Sequence, residues 1–157
     1  PKIDKMCKPE YRDIISGKIP SFTDKGFTVK ILSGEFRGVK GAAQNISGNP
    51  LYIDVSLEAD NEFVIDINSE YNKFLYLYEG NIICGPDARN TDTGSMILFE
   101  NGERLKLKSD KHARFIIFAG KPLKEPVAWR GPIVMNTEEE LDIAFNELNH
   151  GNFIKHE

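Results

Sequence analysis

Apolar and polar residues alternate along most of the chain from residue 27 to residue 120, which is the pattern of strands that bury one face. In LYIDVSLE, for example, Leu51, Ile53, Val55 and Leu57 fall on one face and polar residues fall on the other. The other segments that read as strands are FTVKIL, EFVIDI, KFLYLYEG, NIIC, SMILF, ERLKLK and ARFIIFAG. Because these segments are short and separated by turn residues, they predict an all-β fold, an antiparallel sandwich or barrel.

Two of these segments make sharper predictions. KFLYLYEG is apolar on both faces, which predicts a central strand that is covered on both sides. In LFENGERL, the dipeptide Asn101-Gly102 stands between two strands, which predicts a hairpin with a type I′ turn.

The first 25 residues lack this alternation. Pro9, Gly17 and Pro20 are scattered among charged residues, which is typical of a linker or an arm that lies on another part of the structure. The chain begins with Pro1 and not with Met, so we expect it to be a processed or excised piece of a longer protein. The predicted domain therefore covers residues 26–157.

One helix is predicted near the end of the chain, over about residues 138–149. Thr137 is a favourable N-cap, and Glu140 stands three residues later, which completes a capping box. Gly151 is a natural residue at which to end the helix. The apolar stripe expected to dock on a sheet or a neighbour consists of Leu141, Ala144, Phe145 and Leu148.

Composition and charge narrow the classes of function. The formal net charge is -4, and residues 1–40 carry nine Lys and Arg against five Asp and Glu. The basic residues of this segment are scattered among apolar ones, so direct binding of nucleic acid is not expected. There is no signal-peptide pattern and no apolar run of about 20 residues, so we expect a soluble protein of the cytoplasm.

Candidate chemistry is sparse. The three histidines, His112, His150 and His156, have no spacing that would bring two rings to one face, so we expect solvated surface histidines and no metal site. Cys7 and Cys84 are expected to be free thiols, with Cys84 half-buried on a strand. No nucleophile motif is present, and we therefore assign no catalytic, cofactor-binding or metal-binding residue.

The segment FAGKPLKEPVAWRGPIVMNTEEELDIAF resembles the C-terminal signature of the pirin family, G-x-P-L-x-E-P-V followed by G-P-F-V-M-N-T-x-E-E-I. KMCKPEYRDI, ILSGEFRGVKG and NKFLYLYEG also resemble pirin segments, in the order of the family. The residues that match the signature are Gly120, Pro122, Leu123, Glu125, Pro126, Val127, Gly131, Pro132, Val134, Met135, Asn136, Thr137, Glu139 and Glu140.

The resemblance implies a bicupin, in which two jelly-roll β-barrels pack face to face and the N-terminal barrel binds non-haem iron. Relatives are reported as quercetin dioxygenases and as nuclear cofactors of transcription. The chain resembles the C-terminal barrel only, with residues 1–25 following an absent first barrel. A metal cupin carries a histidine pair before a strand such as KFLYLYEG, where this chain has Asn68 and Tyr71, so the barrel is expected to be free of metal.

The resemblance also suggests what the barrel contacts. Trp129, Arg130 and Met135 are of the residue types enriched at interface cores, and they are the candidate contact with the N-terminal cupin. The isolated chain is expected to form a weak homodimer, and a transcription factor is a possible protein partner if the protein is eukaryotic and nuclear. A stand-alone module that binds a small ligand or a protein, and an atypical cupin enzyme, stay open as alternatives.

Overall fold

The fold is taken from a computed structural model, which describes residues 1–100 and 102–155. Its strands are β1 (Ser21–Asp24), β2 (Phe27–Ser33), β3 (Glu35–Phe36), β4 (Val39–Lys40), β5 (Leu51–Leu57), β6 (Asn61–Asp66), β7 (Asn72–Glu79), β8 (Asn81–Cys84), β9 (Arg89–Asp92), β10 (Ser95–Phe99), β11 (Arg104–Ser109), β12 (Ala113–Gly120), β13 (Ala128–Arg130) and β14 (Ile133–Met135). One α-helix, α1, spans Glu138–Asn149, and two short 3-10 helices span Lys2–Asp4 and Ser16–Lys18. Among the described residues, no helix combines the length and the apolar character that a membrane crossing requires.

Two antiparallel sheets enclose the core of the larger of two compact units, Asp13–Pro122. The large sheet has the order β1-β2-β5-β12-β7-β10, and the small sheet has the order β6-β11-β8-β9. Alternate residues of β2, β5 and β12 are buried, as the sequence alternation predicts. The fully buried side chains include Phe63, Phe115, Ile53, Leu75 and Leu107. The predicted all-β fold with a terminal helix is confirmed.

The sheet begins earlier than the predicted domain boundary at residue 26. Strand β1 (Ser21–Asp24) lies within the segment predicted to be a linker, and it pairs with β2 as the edge of the large sheet. Phe22 is the one residue of this strand that is partly buried against the core. A single buried residue gives no alternation of apolar and polar positions, so the sequence did not identify β1 as a strand.

The double covering predicted for KFLYLYEG is wrong for the described structure. Strand β7 buries Leu75 and Leu77 on its inner face, but Tyr76 on the outer face is 40% exposed. The apolar outer residues of β7 belong instead to a row of aromatic side chains on the surface of the large sheet.

The hairpin predicted at Asn101-Gly102 is also wrong. Strands β10 and β11 lie on either side of this dipeptide but belong to different sheets, β10 pairing with β7 and β11 with β6 and β8. Asn101 lies outside the described residues, so the turn type is not assigned. Each of the two strands thus has its partners within its own sheet.

The second compact unit consists of Pro1–Arg12 together with Leu123–Glu157. Strands β13 and β14 pair with each other as a two-stranded sheet, and α1 packs against both of them. The helix has the predicted span and capping box, and Gly151, with φ of +71°, follows its C-cap residue. Of the predicted stripe, Leu141 and Ala144 are buried, whereas Leu148 is 47% exposed.

Candidate functional site

Residues of the C-terminal signature form one hydrogen-bond network in the unit of residues 1–12 and 123–157. The Glu140 carboxylate accepts hydrogen bonds from the backbone N–H of Asn136 at 2.9 Å and of Thr137 at 3.2 Å. The Asn136 amide donates to the Glu125 carboxylate at 3.3 Å and to the Pro126 carbonyl at 2.9 Å. The network thus fixes the segment that leads into α1.

The N-terminal segment is attached to the same network through Lys2. Its ammonium lies 2.8 Å from Glu140 Oε1, and its backbone N–H donates to Glu125 Oε2 at 2.8 Å. The pKa of Glu140 is held below its ordinary value. The main cause is the Lys2 ammonium, and the next is the backbone N–H of Asn136. The signature therefore joins the first turn of the chain to the last helix.

Other signature residues lie in turns, strand ends and connections of the backbone. Gly131 has φ of +57° in the turn between β13 and β14, a conformation that glycine adopts readily, and Pro132 follows it in the same turn. Gly120 ends β12 opposite Asn72. Pro122 lies in the connection after β12, and the side chain of Leu123 is 53% exposed.

The three residues predicted to contact a partner are placed differently from one another. Trp129 is 75% exposed, and its ring N–H donates to the Gly131 carbonyl at 2.7 Å. Arg130 is engaged within the unit, with ion pairs to Glu138 and Asp142 and with its guanidinium 5.6 Å from the centre of the Phe145 ring. Met135 is half-buried on β14. Of the three, Trp129 has the most exposed side chain.

The outer face of the large sheet carries an apolar surface that the sequence reading did not identify as a site. We call it the outer apolar face and define it by Tyr52, Phe74, Tyr76, Met96, Leu98 and Phe118. Cross-strand pairing places Phe118 between Tyr52 and Phe74, with ring-centre distances of 4.2 Å and 5.0 Å in stacked geometry. The edge strand β10 extends the surface with Met96, which is 61% exposed, and Leu98, which is 72% exposed.

The loop before β7 is the place where the sequence led us to look for metal ligands. Asn68 and Tyr71 stand in this loop, and the side chain of Lys73 is buried beneath it. The Lys73 ammonium lies 3.3–3.4 Å from the carbonyl oxygens of Asn68, Ser69 and Tyr71. The Lys73 ammonium thus already occupies the space between the carbonyl oxygens of this loop.

The two described histidines are not simply solvated. His150 lies at the end of α1, with Nδ1 2.7 Å from the Asn146 carbonyl. His112 lies between Ser56 and Glu79 and makes a hydrogen bond to each. His156 lies outside the described residues. Within residues 1–100 and 102–155, no group of three or more His, Cys, Asp or Glu side chains is arranged to hold a metal ion.

The cysteines have the predicted environments. Cys7 is exposed and Cys84 is half-buried, and both are free thiols. Burial is the main cause that raises the pKa of the Cys84 thiol.

A cavity of about 960 Å³ opens beside Cys84, between β10 on one side and β8, β9 and the start of β11 on the other. Ile97, Phe99 and Leu105 contribute apolar lining, and Arg89 and Asp87 contribute charge. The cavity therefore lies between β10, the edge strand of the large sheet, and strands of the small sheet.

Comparison with known proteins places this arrangement in a family. The model of the Pirin C-terminal cupin domain matches residues 52–154. A protein named as a putative quercetin 2,3-dioxygenase of Thermoplasma acidophilum is 34% identical over 99% of the chain and 62% of its own length. Mouse pirin is 33% identical over 94% of the chain and 52% of its own length, and a pirin-like protein of Caulobacter vibrioides is 34% identical over 95% and 54%. The chain thus spans between about half and two thirds of the length of these relatives.

Comparison with solved structures supports the same family and fold. A quercetin 2,3-dioxygenase from Acinetobacter baumannii superposes with a TM-score of 0.87 at 26% identity, over 98% of this chain and 54% of that one. An RmlC-like cupin from Shewanella frigidimarina, at 8% identity and a TM-score of 0.52, shares the fold alone. The sandwich is a cupin, as the sequence resemblance predicted.

Proposed function

The chain belongs to the pirin family, and from that premise we propose that it is the metal-free C-terminal cupin of a two-cupin protein, which packs against and supports an iron-binding N-terminal cupin. The single observation that carries the proposal is the outer apolar face. Relatives are longer than this chain by about one further domain, which supplies a partner of the appropriate size.

The outer apolar face has the character of a surface that another domain covers. Three of its side chains, Tyr76, Met96 and Leu98, are 40–72% exposed, and they adjoin the stacked rings of Tyr52, Phe118 and Phe74. Contiguous exposed apolar surface of this kind marks interaction sites in soluble proteins. Aromatic residues and Met are also enriched at the cores of interfaces.

The second part of the proposal is that this cupin holds no iron of its own. Where the resemblance would require imidazoles, the chain has Asn68 and Tyr71, and the Lys73 ammonium already lies against three carbonyl oxygens of the same loop. A metal cation there would meet a buried positive charge without an anionic ligand set to offset it. Any dioxygenase chemistry of the whole protein would therefore belong to the N-terminal cupin.

Metal content tests this part. Elemental analysis of the purified chain should give no stoichiometric iron, and the chain should show no flavonol dioxygenase activity. Near-equimolar iron that is lost when His112 is replaced would overturn the assignment.

The packing surface is tested on the isolated chain. With its apolar face uncovered, the chain should associate weakly, and sedimentation velocity should show a dimer fraction that rises with concentration. Leu98→Lys should abolish that fraction, because it places a charge at the most exposed position of the face. Ile143→Lys is the matched control, since Ile143 is 59% exposed on α1 and is not one of the residues that define this face. Equal effects of the two substitutions, or a strict monomer throughout, would count against the outer apolar face.

A second candidate function, a small-ligand module, is favoured by one observation. The cavity of about 960 Å³ beside Cys84 falls in the usual size range of ligand pockets, and both apolar and charged side chains line it. A fluorescent apolar probe that binds the chain stoichiometrically, and is expelled by Ile97→Trp, would support this candidate.

A further inference from the structure

Three polar residues from different strands meet on the outer face of the large sheet, at the end away from the aromatic row. Ser56 on β5 stands directly opposite Arg114 on β12, and Arg114 stands opposite Glu79 on β7. His112 immediately precedes β12, and its ring makes hydrogen bonds to Ser56 and Glu79. The function proposed above makes no use of the cluster.

The position of Glu79 depends on an irregularity in the sheet. The register between β12 and β7 shifts between Arg114 and Phe115, so that Glu79 and not Tyr78 is paired with Arg114. Such bulges redirect side chains and are over-represented beside active sites. Gly80 makes the arrangement possible, because a Cβ at this position would lie 2.1 Å from the His112 carbonyl oxygen.

The hydrogen bonds fix the chemistry of the imidazole. His112 Nδ1 lies 3.1 Å from Glu79 Oε1, and Nε2 lies 3.0 Å from Ser56 Oγ. A carboxylate can only accept, so Nδ1 carries the proton and donates to Glu79. In the neutral ring Nε2 is then an acceptor, and it receives the Ser56 hydroxyl proton. This order of atoms is that of a nucleophile, a general base and a group that orients the base.

A cation completes the cluster. Arg114 is the cross-strand neighbour of Ser56, and the Cβ atoms of such neighbours lie about 4.5–5.5 Å apart. Its guanidinium lies over the Tyr78 ring at 5.1 Å, and its Nη1 is 3.8 Å from Glu79 Oε2. The side chain is therefore held on the same face of the sheet as Ser56, with its guanidinium against Tyr78 and Glu79 of β7.

We propose that Ser56, His112 and Glu79 form a nucleophilic site that accepts short acyl groups from small activated esters. Ser56 Oγ attacks the acyl carbon while its proton passes to His112 Nε2, which gives a tetrahedral intermediate. The ester C–O bond then breaks, and the leaving phenol or alcohol takes the proton from Nε2. Water, deprotonated by the same nitrogen, finally releases the acid and regenerates the serine.

The surroundings of the site define its substrates. The side chains of His112 and Glu79 are 47% and 52% exposed, so the described residues leave the site open to solvent and do not enclose a long acyl chain. Reaction should therefore depend on a good leaving group rather than on recognition of the acyl part, and aryl acetates are the suitable probes.

Acetylation by p-nitrophenyl acetate tests the proposal on the intact chain. Peptide mapping should locate the acetyl group on Ser56, and Ser56→Ala should remove it. His112→Gln should slow acetylation of that residue by about a hundredfold, the lower end of what a positioned general base contributes. Glu79→Gln should slow it by a smaller factor, because the imidazole remains but its orientation is lost.

Control variants separate this site from ordinary surface reactivity. His150→Gln, which changes the other described histidine, and Ser69→Ala, which changes a serine outside the cluster, should leave the rate at Ser56 unchanged. Thermal melts establish that each variant is folded. Absence of acetyl-Ser56 in the unmodified chain would overturn the proposal, as would an equal rate in His112→Gln and His150→Gln.

Discussion

The start of α1 offers a quantitative test of how the signature residues act. The Thr137 hydroxyl accepts a hydrogen bond from the backbone N–H of Glu140 at 3.2 Å, and the Glu140 carboxylate accepts one from the N–H of Thr137 at the same distance. Thr137→Ala removes the first bond and leaves the second in place. The substitution thus perturbs one donor at one helix end.

The expected loss is about 1 kcal/mol, the usual cost of replacing an N-cap hydroxyl with Ala. For a chain of this length, such a loss lowers the midpoint of thermal unfolding by about 2–4 °C if the whole chain unfolds together. If the unit that contains α1 opens separately, the same free energy speeds exchange of its amide hydrogens by about fivefold.

Hydrogen exchange with mass spectrometry distinguishes these cases, because peptides from 138–149 can be compared with peptides from β5 and β12. Thr137→Ser is the matched control, since it keeps the hydroxyl and should exchange like the parent chain. Identical melts and identical exchange in Thr137→Ala would show that the cap contributes nothing, and the account of the signature network would then be wrong.

Three further predictions follow from individual contacts. Gly80→Ala should destabilise the chain by more than about 1 kcal/mol in a urea titration, because it combines φ of +79° with a clash at the His112 carbonyl. Gly85→Ala is the control and should cost less, because Gly85 has a similar φ of +81° but open space around it. The pKa of Glu140 is depressed, so its contribution to stability is present above the ordinary pKa of glutamate and is lost as the pH falls through the depressed value. Hydrogen-exchange protection of α1 should therefore fall in acid in the parent chain but not in Glu140→Gln. Burial, followed by the hydrogen bond to Asp54, raises the pKa of Tyr78 to about 12, so its contribution to stability is present below the ordinary tyrosine pKa and is lost as the pH rises through about 12. An ultraviolet titration in which Tyr78→Phe removes a tyrosinate signal near pH 10 would contradict this assignment.

The parts of the fold that depend on neighbouring residues were predictable from the sequence. The helix start is encoded by Thr137 and Glu140, three residues apart, and its end by Gly151, so its bounds and capping box agree with the prediction. The positions of β5 and β12 follow from strict alternation of apolar residues, because each strand buries one face whatever its partner is.

Pairing between distant strands was not predictable in the same way. Asn101-Gly102 is a strong local signal for a hairpin, yet β10 pairs with β7 in the large sheet and β11 pairs with β6 and β8 in the small sheet. The apolar outer residues of β7 were visible in KFLYLYEG, but the sequence did not show that Phe118 and Tyr52 would stack beside them. The contact of His112 with Glu79 depends on a bulge in the sheet, for which the sequence carries no clear signal.

The central claim is that this cupin is one half of a two-cupin protein, and mixing the halves tests it most directly. Sedimentation velocity of the chain with the N-terminal cupin of the same protein should show a one-to-one complex that displaces the weak homodimer of the chain. Leu98→Lys or Trp129→Ala should weaken that complex, and Glu58→Ala, at an exposed residue outside the outer apolar face, should not. A chain that stays monomeric at high concentration and forms no complex with the N-terminal cupin would contradict the claim.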